Sequence, residues 1–211
     1  MWALVEDGSI TKLINHPKGM IIGDTRHSRK IFSLWSKSEL EAKGIYEIIW
    51  DNSKKKEEEY YTNTNQTFTY DADAGTVTAT YGDATAKAHA DTLYTQEEAD
   101  DDKCLDSDVG TVKTRGLKYN LIQTVKQQAN NLLSETDWYV TRKTEKSTAI
   151  PSNVTTWRNG IRSKQAAMET SITNASDTPA LETLYTYVNT ADEGDPVVME
   201  RPLGEFPVLG S

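Results

Sequence analysis

The sequence predicts an α+β fold: a small, mainly antiparallel N-terminal β domain with one short helix, followed by a C-terminal helical hairpin or bundle. Two observations predict it. Short strand-like runs separated by turn residues fill residues 1–85, and apolar side chains at helical spacing fill residues 115–190. Residues 86–114 are predicted to form an acidic linker or frayed helix, and residues 191–211 an extended docking tail.

Two β-hairpins are predicted in the N-terminal domain. Residues 2–14 contain two apolar-rich runs on either side of Asp7-Gly8, a pair that favours the positive φ angles of a tight turn. Residues 67–81 alternate bulky and small side chains around the segment 71–75. That segment also resembles the start of a calcium-binding loop, but Tyr81 stands where the loop requires a bidentate acid. A hairpin turn is therefore the preferred interpretation.

One short helix is predicted between the hairpins. Ser36 and Glu39 have the capping-box spacing, in which the serine accepts from a backbone amide while the glutamate reaches back. Gly44 is placed to end the helix, because glycine readily adopts the left-handed conformation found there. Extended structure is predicted to resume over residues 45–50.

The C-terminal domain is predicted from apolar periodicity. The first helix follows Gly116, ends at Thr136-Asp137 and has one apolar face made by Leu117, Leu121, Ile122, Val125, Ala129, Leu132 and Leu133. A second helix starts near Pro151, with an apolar face made by Val154, Trp157, Ile161, Met168 and Ile172. A third starts at Thr178-Pro179, where a threonine cap precedes proline.

Composition and charge bound the function. Hydrophobic residues make up 36% of the 211 residues, so the core is modest or is completed by a partner. Residues 97–108 carry a net charge of -6 and residues 111–168 carry +7. The basic part has no dense cationic run or nucleic-acid motif, and its acidic neighbour repels phosphate, so no nucleic-acid partner is predicted. No signal peptide and no membrane span are predicted.

Chemistry-bearing patterns are sparse. Cys104 is the only cysteine, which excludes an intrachain disulfide and a thiolate metal site. His16, His27 and His89 lack ligand-like spacing with one another. No nucleophile-elbow, phosphate-loop or dinucleotide-binding motif occurs, so neither an enzyme nor a cofactor is predicted.

A resemblance suggests the class of protein. The stretch LLSETDWYV at 132–140, then Ile150-Pro151 and WRNGIR at 157–162, resembles the C-terminal region of tail-fibre assembly and tail-fibre-associated proteins of tailed bacteriophages. In that family a helix ends in a Leu-Thr-Asp-Trp turn, and a proline-started helix carries an aromatic–Arg pair. Trp157 stands here where the family has tyrosine. The opening of the chain and the segment 34–46 resemble N-terminal domains of marine phage tail proteins.

The resemblance and the residue types together predict roles for a structural motif made by Asp137, Trp138, Pro151 and Trp157. Thr136 or Asp137 is expected to satisfy backbone amides at the helix end, with Trp138 turned inward. Trp157 is expected to pack on the face made by Leu121 and Val125. Partner contacts are predicted for surface cations of the second helix and for tail residues, namely Arg158, Arg162, Arg201, Leu203, Phe206 and Leu209.

The resemblance implies a structural virion protein, synthesised in the host cytoplasm, that bridges other phage tail or fibre proteins near the fibre or baseplate and forms a homo-oligomer. One alternative is a tail-fibre assembly chaperone that acts transiently. A second is a receptor-binding or glycan-binding fibre tip that contacts the host surface, in which four tyrosines of the second hairpin region would stack on sugar rings: Tyr60, Tyr61, Tyr70 and Tyr81.

Overall fold

The protein has an α+β fold made of two compact units, described for residues 1–210 by a computed structural model. The N-terminal unit is Met1–Thr85 and the second unit begins at Ala86. Each unit has buried apolar side chains of its own. Among the residues described, no helix has the length and apolarity needed to cross a bilayer.

The N-terminal unit consists of short strands and two one-turn helices. The strands are β1 (Trp2–Glu6), β2 (Ser9–Ile14), β3 (Met20–Ile22), β4 (Thr25–His27), β5 (Ile45–Asp51), β6 (Tyr61–Thr62), β7 (Thr67–Asp71) and β8 (Thr76–Thr80), and β9 (Thr85–Ala86) begins at the last residue of the unit. The helices are α1 (Ile31–Leu34) and α2 (Lys37–Glu41). The predicted capping box of α2 is confirmed: the Glu39 N–H donates to Ser36 Oγ at 3.3 Å, and the Ser36 N–H donates to the Glu39 carboxylate at 2.8 Å.

Five strands form one sheet in the order β2-β1-β5-β8-β7. All neighbours are antiparallel except β5 and β8, which run parallel. The edge strands β2 and β7 approach within 8 Å between Cα atoms, so the sheet curls towards closure. Both predicted hairpins are confirmed, since β1 pairs with β2 across Asp7-Gly8 and β7 pairs with β8 across a turn that holds Gly75 at φ 60°.

The sheet buries apolar side chains on both faces. On one face, Leu4 and Ile45 pack against residues of β3, α1 and α2, namely Met20, Ile31 and Leu40. On the other, the curl encloses Ala3, Val5, Ile48, Val77 and Ala79. Gly44 adopts φ 73°, and a Cβ there would lie 2.4 Å from the Val5 carbonyl oxygen, so the chain requires glycine at this position.

The second unit is mainly helical. In chain order its elements are β10 (Thr92–Leu93), α3 (Gln96–Asp100), a 3-10 turn at Asp106–Asp108, β11 (Val112–Thr114), α4 (Leu117–Ser134), α5 (Asp137–Lys146), α6 (Ser152–Asn174), α7 (Thr178–Tyr185), β12 (Val188–Asn189) and β13 (Met199–Glu200). The cap of α7 is Asp177, whose carboxylate accepts from the Ala180 N–H at 2.8 Å. The predicted threonine cap is wrong, because Thr178 Oγ1 donates to the Lys87 carbonyl instead.

The predicted helical hairpin is confirmed as an antiparallel pairing of α4 and α6. Lys118, at the start of α4, donates to the Thr173 carbonyl near the end of α6 at 2.9 Å. Arg158, near the start of α6, donates to the Leu133 carbonyl near the end of α4 at 2.7 Å. Between these ends the two helices bury apolar side chains, which include Leu121, Val125, Ala129, Ile161, Met168 and Ile172.

The segment predicted as an acidic linker or frayed helix is folded onto the start of α4. β10 pairs with β11 on either side of α3. The Leu117 N–H donates to the Ala88 carbonyl at 3.0 Å, and the Gly116 N–H donates to the Asp91 carboxylate at 2.8 Å. The Gly116 amide and the Arg115 guanidinium lower the pKa of Asp91 below its ordinary value. The segment therefore supplies acceptors for amides that the helix cannot satisfy itself.

Candidate protein-interaction surfaces

Arg158 holds together the end of α4 and the start of α5. Its guanidinium donates to the Leu133 carbonyl at 2.7 Å, to Thr136 Oγ1 at 2.7 Å and to the Asp137 carboxylate at 2.8 Å. Only 7% of Arg158 is exposed, so the expectation of a cation on the helix surface is wrong at this position. A cation suits this place, because the carbonyls at a helix C-terminus carry partial negative charge. Arg162, one turn further on, is exposed.

Trp157 anchors the C-terminal segment of its own chain. The indole N–H donates to the Pro207 carbonyl at 2.8 Å, and the ring is only 6% exposed. Its apolar neighbours are Ala129 and Ile161, with Phe206 partly buried against the same cluster. The expected packing on Leu121 and Val125 is wrong in register, because the contact lies further along α4.

The last part of the tail belongs to this unit's core, which corrects the expectation of an extended tail that docks on another subunit. Leu203 is 3% exposed, and its N–H donates to the Leu184 carbonyl at 3.0 Å. Arg201 is paired with Glu205 at 2.7 Å and lies over the ring of Tyr185. Of the tail residues predicted to contact partners, Leu209 remains exposed, at 41%.

Helix α5 has no buried residue, although it runs for ten residues. Apolar periodicity does not predict this helix, because Thr136-Asp137 has residue types typical of a helix end and residues 137–146 have no apolar face. At 100° per residue, the side chains of one side form an aromatic–basic stripe, defined here as Trp138, Tyr139, Arg142, Lys143 and Lys146. The rest of the helix surface carries Val140, Thr141 and Thr144, with Glu145 at the edge next to Trp138. The stripe therefore gathers both aromatic residues and all three cations of the helix.

Stacking organises the exposed end of this stripe. The rings of Trp138 and Tyr139 lie 3.7 Å apart between centroids, and the Arg142 guanidinium lies 4.8 Å from the Trp138 ring. Trp138 is 51% exposed, so the expectation that it turns inward is wrong. A large aromatic side chain fixed in place on the surface is typical of a binding site, because it offers much contact area at little entropic cost.

A second apolar surface lies just before the anchored part of the tail. The C-terminal hairpin, defined here as residues 187–200, is held by the two-residue pairing of β12 with β13. It exposes about half or more of five apolar side chains: Tyr187 48%, Val188 48%, Val197 69%, Val198 47% and Met199 52%. It also carries four acids and no base, namely Asp192, Glu193, Asp195 and Glu200. Several exposed apolar side chains in one short hairpin make it a candidate interaction surface.

The tyrosines proposed for glycan stacking do not lie together on the surface. Tyr60 and Tyr61 are 4% and 3% exposed, which contradicts their predicted role. Tyr70 is part-buried and bonds through its hydroxyl to Tyr46 at 3.1 Å. Trp50 is 40% exposed, with the Tyr81 ring 6.5 Å away, so an aromatic surface exists at the end of β5. No sequence pattern predicts that Trp50 is part of this aromatic surface.

Titratable groups are dispersed over the described residues. Within residues 1–210, no group of three or more His, Cys, Asp or Glu side chains is placed to hold a metal ion. Burial and the nearby carboxylates of Glu98, Asp108 and Asp106 raise the pKa of the Cys104 thiol. That shift favours the protonated thiol and disfavours a reactive thiolate.

Comparison with known proteins finds no protein-family model, curated protein or solved structure that matches the chain.

Proposed function

We propose that the protein is a structural subunit of a bacteriophage tail, associated with the tail fibre or baseplate, that acts by binding other tail proteins and further copies of itself. The resemblance of the 132–140 and 157–162 segments to tail-fibre-associated proteins supports the setting. The contact role rests on one observation: helix α5 buries none of its residues and presents a stacked, half-exposed indole, Trp138, on its surface.

The geometry favours a bridging role over catalysis. A helix that is stable in a small protein normally buries one face, because helix propensity alone is a weak stabiliser. α5 does not do so among the described residues, and the C-terminal hairpin also exposes its apolar side chains. Both surfaces gain burial only through a partner. We therefore assign the protein a non-catalytic role that requires no cofactor.

Mass spectrometry of purified phage particles tests this proposal. A structural subunit is expected in mature particles at a fixed ratio to the fibre protein. An assembly chaperone would instead be missing from particles, while deletion of its gene would remove the fibres. Finding the chain absent from particles would therefore reject the structural role and favour the chaperone.

A second candidate function, glycan binding at a fibre tip, is favoured by the exposed Trp50 beside Tyr81. Sugar rings stack on indole faces, and Lys55 lies 5.9 Å from the Tyr81 ring as a hydrogen-bond donor near that surface. Glycan-array binding that is lost in Trp50→Ala but kept in Trp138→Ala would support this function. An array with no binding would reject it.

A further inference from the structure

We infer that the protein self-associates through its two exposed apolar surfaces: the aromatic–basic stripe of one copy binds the C-terminal hairpin of another. The inference rests on the proposed function and adds the pair of surfaces through which copies of the chain bind each other. Each surface supplies what the other lacks.

The stripe contributes cations and aromatic rings. Arg142 is fixed over the Trp138 and Tyr139 rings, at 4.8 and 5.2 Å from their centroids. Lys143 and Lys146 are exposed on the same side of the helix, and neither forms an ion pair within the described residues. Asp137, the acid at the start of the helix, is already paired with Arg158 at 2.8 Å. With three cations against the exposed Glu145 at the edge of the stripe, this surface keeps a net positive charge.

The hairpin contributes carboxylates and aliphatic side chains. Val188 pairs with Glu200 and Asn189 pairs with Met199, so Val188 and Met199 project from opposite faces of the ladder. Both faces thus carry apolar side chains, and a two-stranded ladder of this length is marginal without a covering element. In the part of the chain that the structure describes, Asp192 and Glu193 at the turn form no ion pair.

Charge decides how the surfaces pair. Stripe against stripe would bring the cations of two helices together, and hairpin against hairpin would bring eight carboxylates together, four from each copy. Like charges facing each other in an interface cost several kcal/mol. Stripe against hairpin instead places lysines beside aspartate and glutamate while Trp138 covers aliphatic side chains. We therefore assign the hairpin of a second copy as the partner of the stripe. Repeating this contact gives a closed dimer, a ring or a filament.

A charge-swap experiment on the full chain tests the inference by sedimentation velocity. Two variants are made, K143E/K146E on the stripe and D192K/E193K on the hairpin, with circular dichroism to verify folding. We expect the wild-type chain to associate and each variant alone to associate more than about tenfold more weakly, since each now faces like charge. Mixing the two variants should restore association, because the acidic stripe of one then meets the basic hairpin of the other.

The matched control is K18E/K43E, which makes the same charge change at exposed lysines of the N-terminal unit and should leave association unchanged. A wild-type chain that stays monomeric at millimolar concentration would overturn the inference, as would folded variants that fail to associate when mixed. Either result would also remove the binding to further copies from the proposed function, but neither would reject the place of the chain in the phage tail, because its presence in phage particles is measured separately.

Discussion

Trp157 and Trp138 lie in neighbouring helices of one unit, yet they are 6% and 51% exposed. Trp157 lies on the side of α6 that faces α4, and the chain's own C-terminal segment covers it and accepts its N–H. Trp138 lies in the first turn of α5, where no other part of the unit buries it. The difference shows that a tryptophan near a helix end is buried only when a distant segment supplies a cover.

Arg158 connects the two regions. It is the residue next to Trp157, and its guanidinium bonds to Asp137, the residue next to Trp138. The same guanidinium fixes the end of α4 through the Leu133 carbonyl. The interaction positions the start of α5 without burying it. Arg158 therefore belongs to the core, whereas its partner Asp137 lies on the surface.

Deleting the C-terminal segment that covers Trp157 should have the largest effect on stability. A chain that ends at Glu200 loses the buried Leu203, the partly buried Phe206 and the Pro207 carbonyl that accepts from Trp157. A fully buried apolar side chain contributes about 1.5–3 kcal/mol, and an indole N–H left without its acceptor costs about 1–3 kcal/mol. We therefore expect the free energy of unfolding to fall by about 3–6 kcal/mol in urea denaturation. A chain that ends at Val208 keeps these contacts and serves as the control. Equal stability of the two truncations would mean that the tail does not belong to the core.

Trp157→Ala is expected to lower the free energy of unfolding by about 3–5 kcal/mol, the usual cost of removing a buried tryptophan. Trp157→Phe keeps most of the apolar volume but leaves the Pro207 carbonyl without its donor, which costs about 1–3 kcal/mol. Chemical denaturation measures both. A cost for Trp157→Ala no larger than that of Trp138→Ala would remove the contrast between the two indoles.

Arg158→Met keeps an unbranched apolar stem but removes the guanidinium that donates to the Leu133 carbonyl, to Thr136 Oγ1 and to the Asp137 carboxylate. We expect a loss of about 1–3 kcal/mol, measured by thermal unfolding. The matched control is Arg162→Met, at an exposed position of the same helix, where the change should stay within about 0.5 kcal/mol. Similar losses in both variants would contradict the buried role of Arg158.

Asp137→Asn should have the smallest effect. The amide oxygen can still accept from Arg158, and the Asp137 side chain is 59% exposed, so solvent already screens the ion pair. We expect a change below about 1 kcal/mol in the same thermal measurement. A larger loss would indicate that the charge of Asp137, rather than its hydrogen bond, positions α5.

Local signals predicted much of the fold. The hairpin at Asp7-Gly8 and the capping box at Ser36 depend on a few adjacent residues, and so does the apolar face of α4. The parallel pairing of β5 with β8 joins strands distant in sequence, and no local pattern encodes it. The burial of the tail is likewise not encoded locally. Leu203 and Phe206 are isolated apolar residues without helical or strand periodicity, and their contacts are with distant parts of the chain.

The candidate surfaces were harder to predict than the fold. Arg158 and Arg162 are the same residue type and lie one helical turn apart. Arg158 is buried because the end of α4 lies against it, whereas Arg162 is exposed. Trp138 is predicted to turn inward because tryptophan side chains are large and mostly apolar, and no local pattern indicates that this one is exposed. The signal for the aromatic–basic stripe is present in the sequence, because the aromatic and basic residues of 137–146 share one side when this segment is drawn as a helix of its own.

Sedimentation velocity of the wild-type chain beside Trp138→Ala tests the central claim most directly, since that claim makes the exposed indole a protein contact. We expect the wild-type chain to associate with rising concentration, while Trp138→Ala stays monomeric and its stability changes by less than about 0.5 kcal/mol. Identical sedimentation of the two proteins, or a Trp138→Ala chain that is unfolded, would contradict the account.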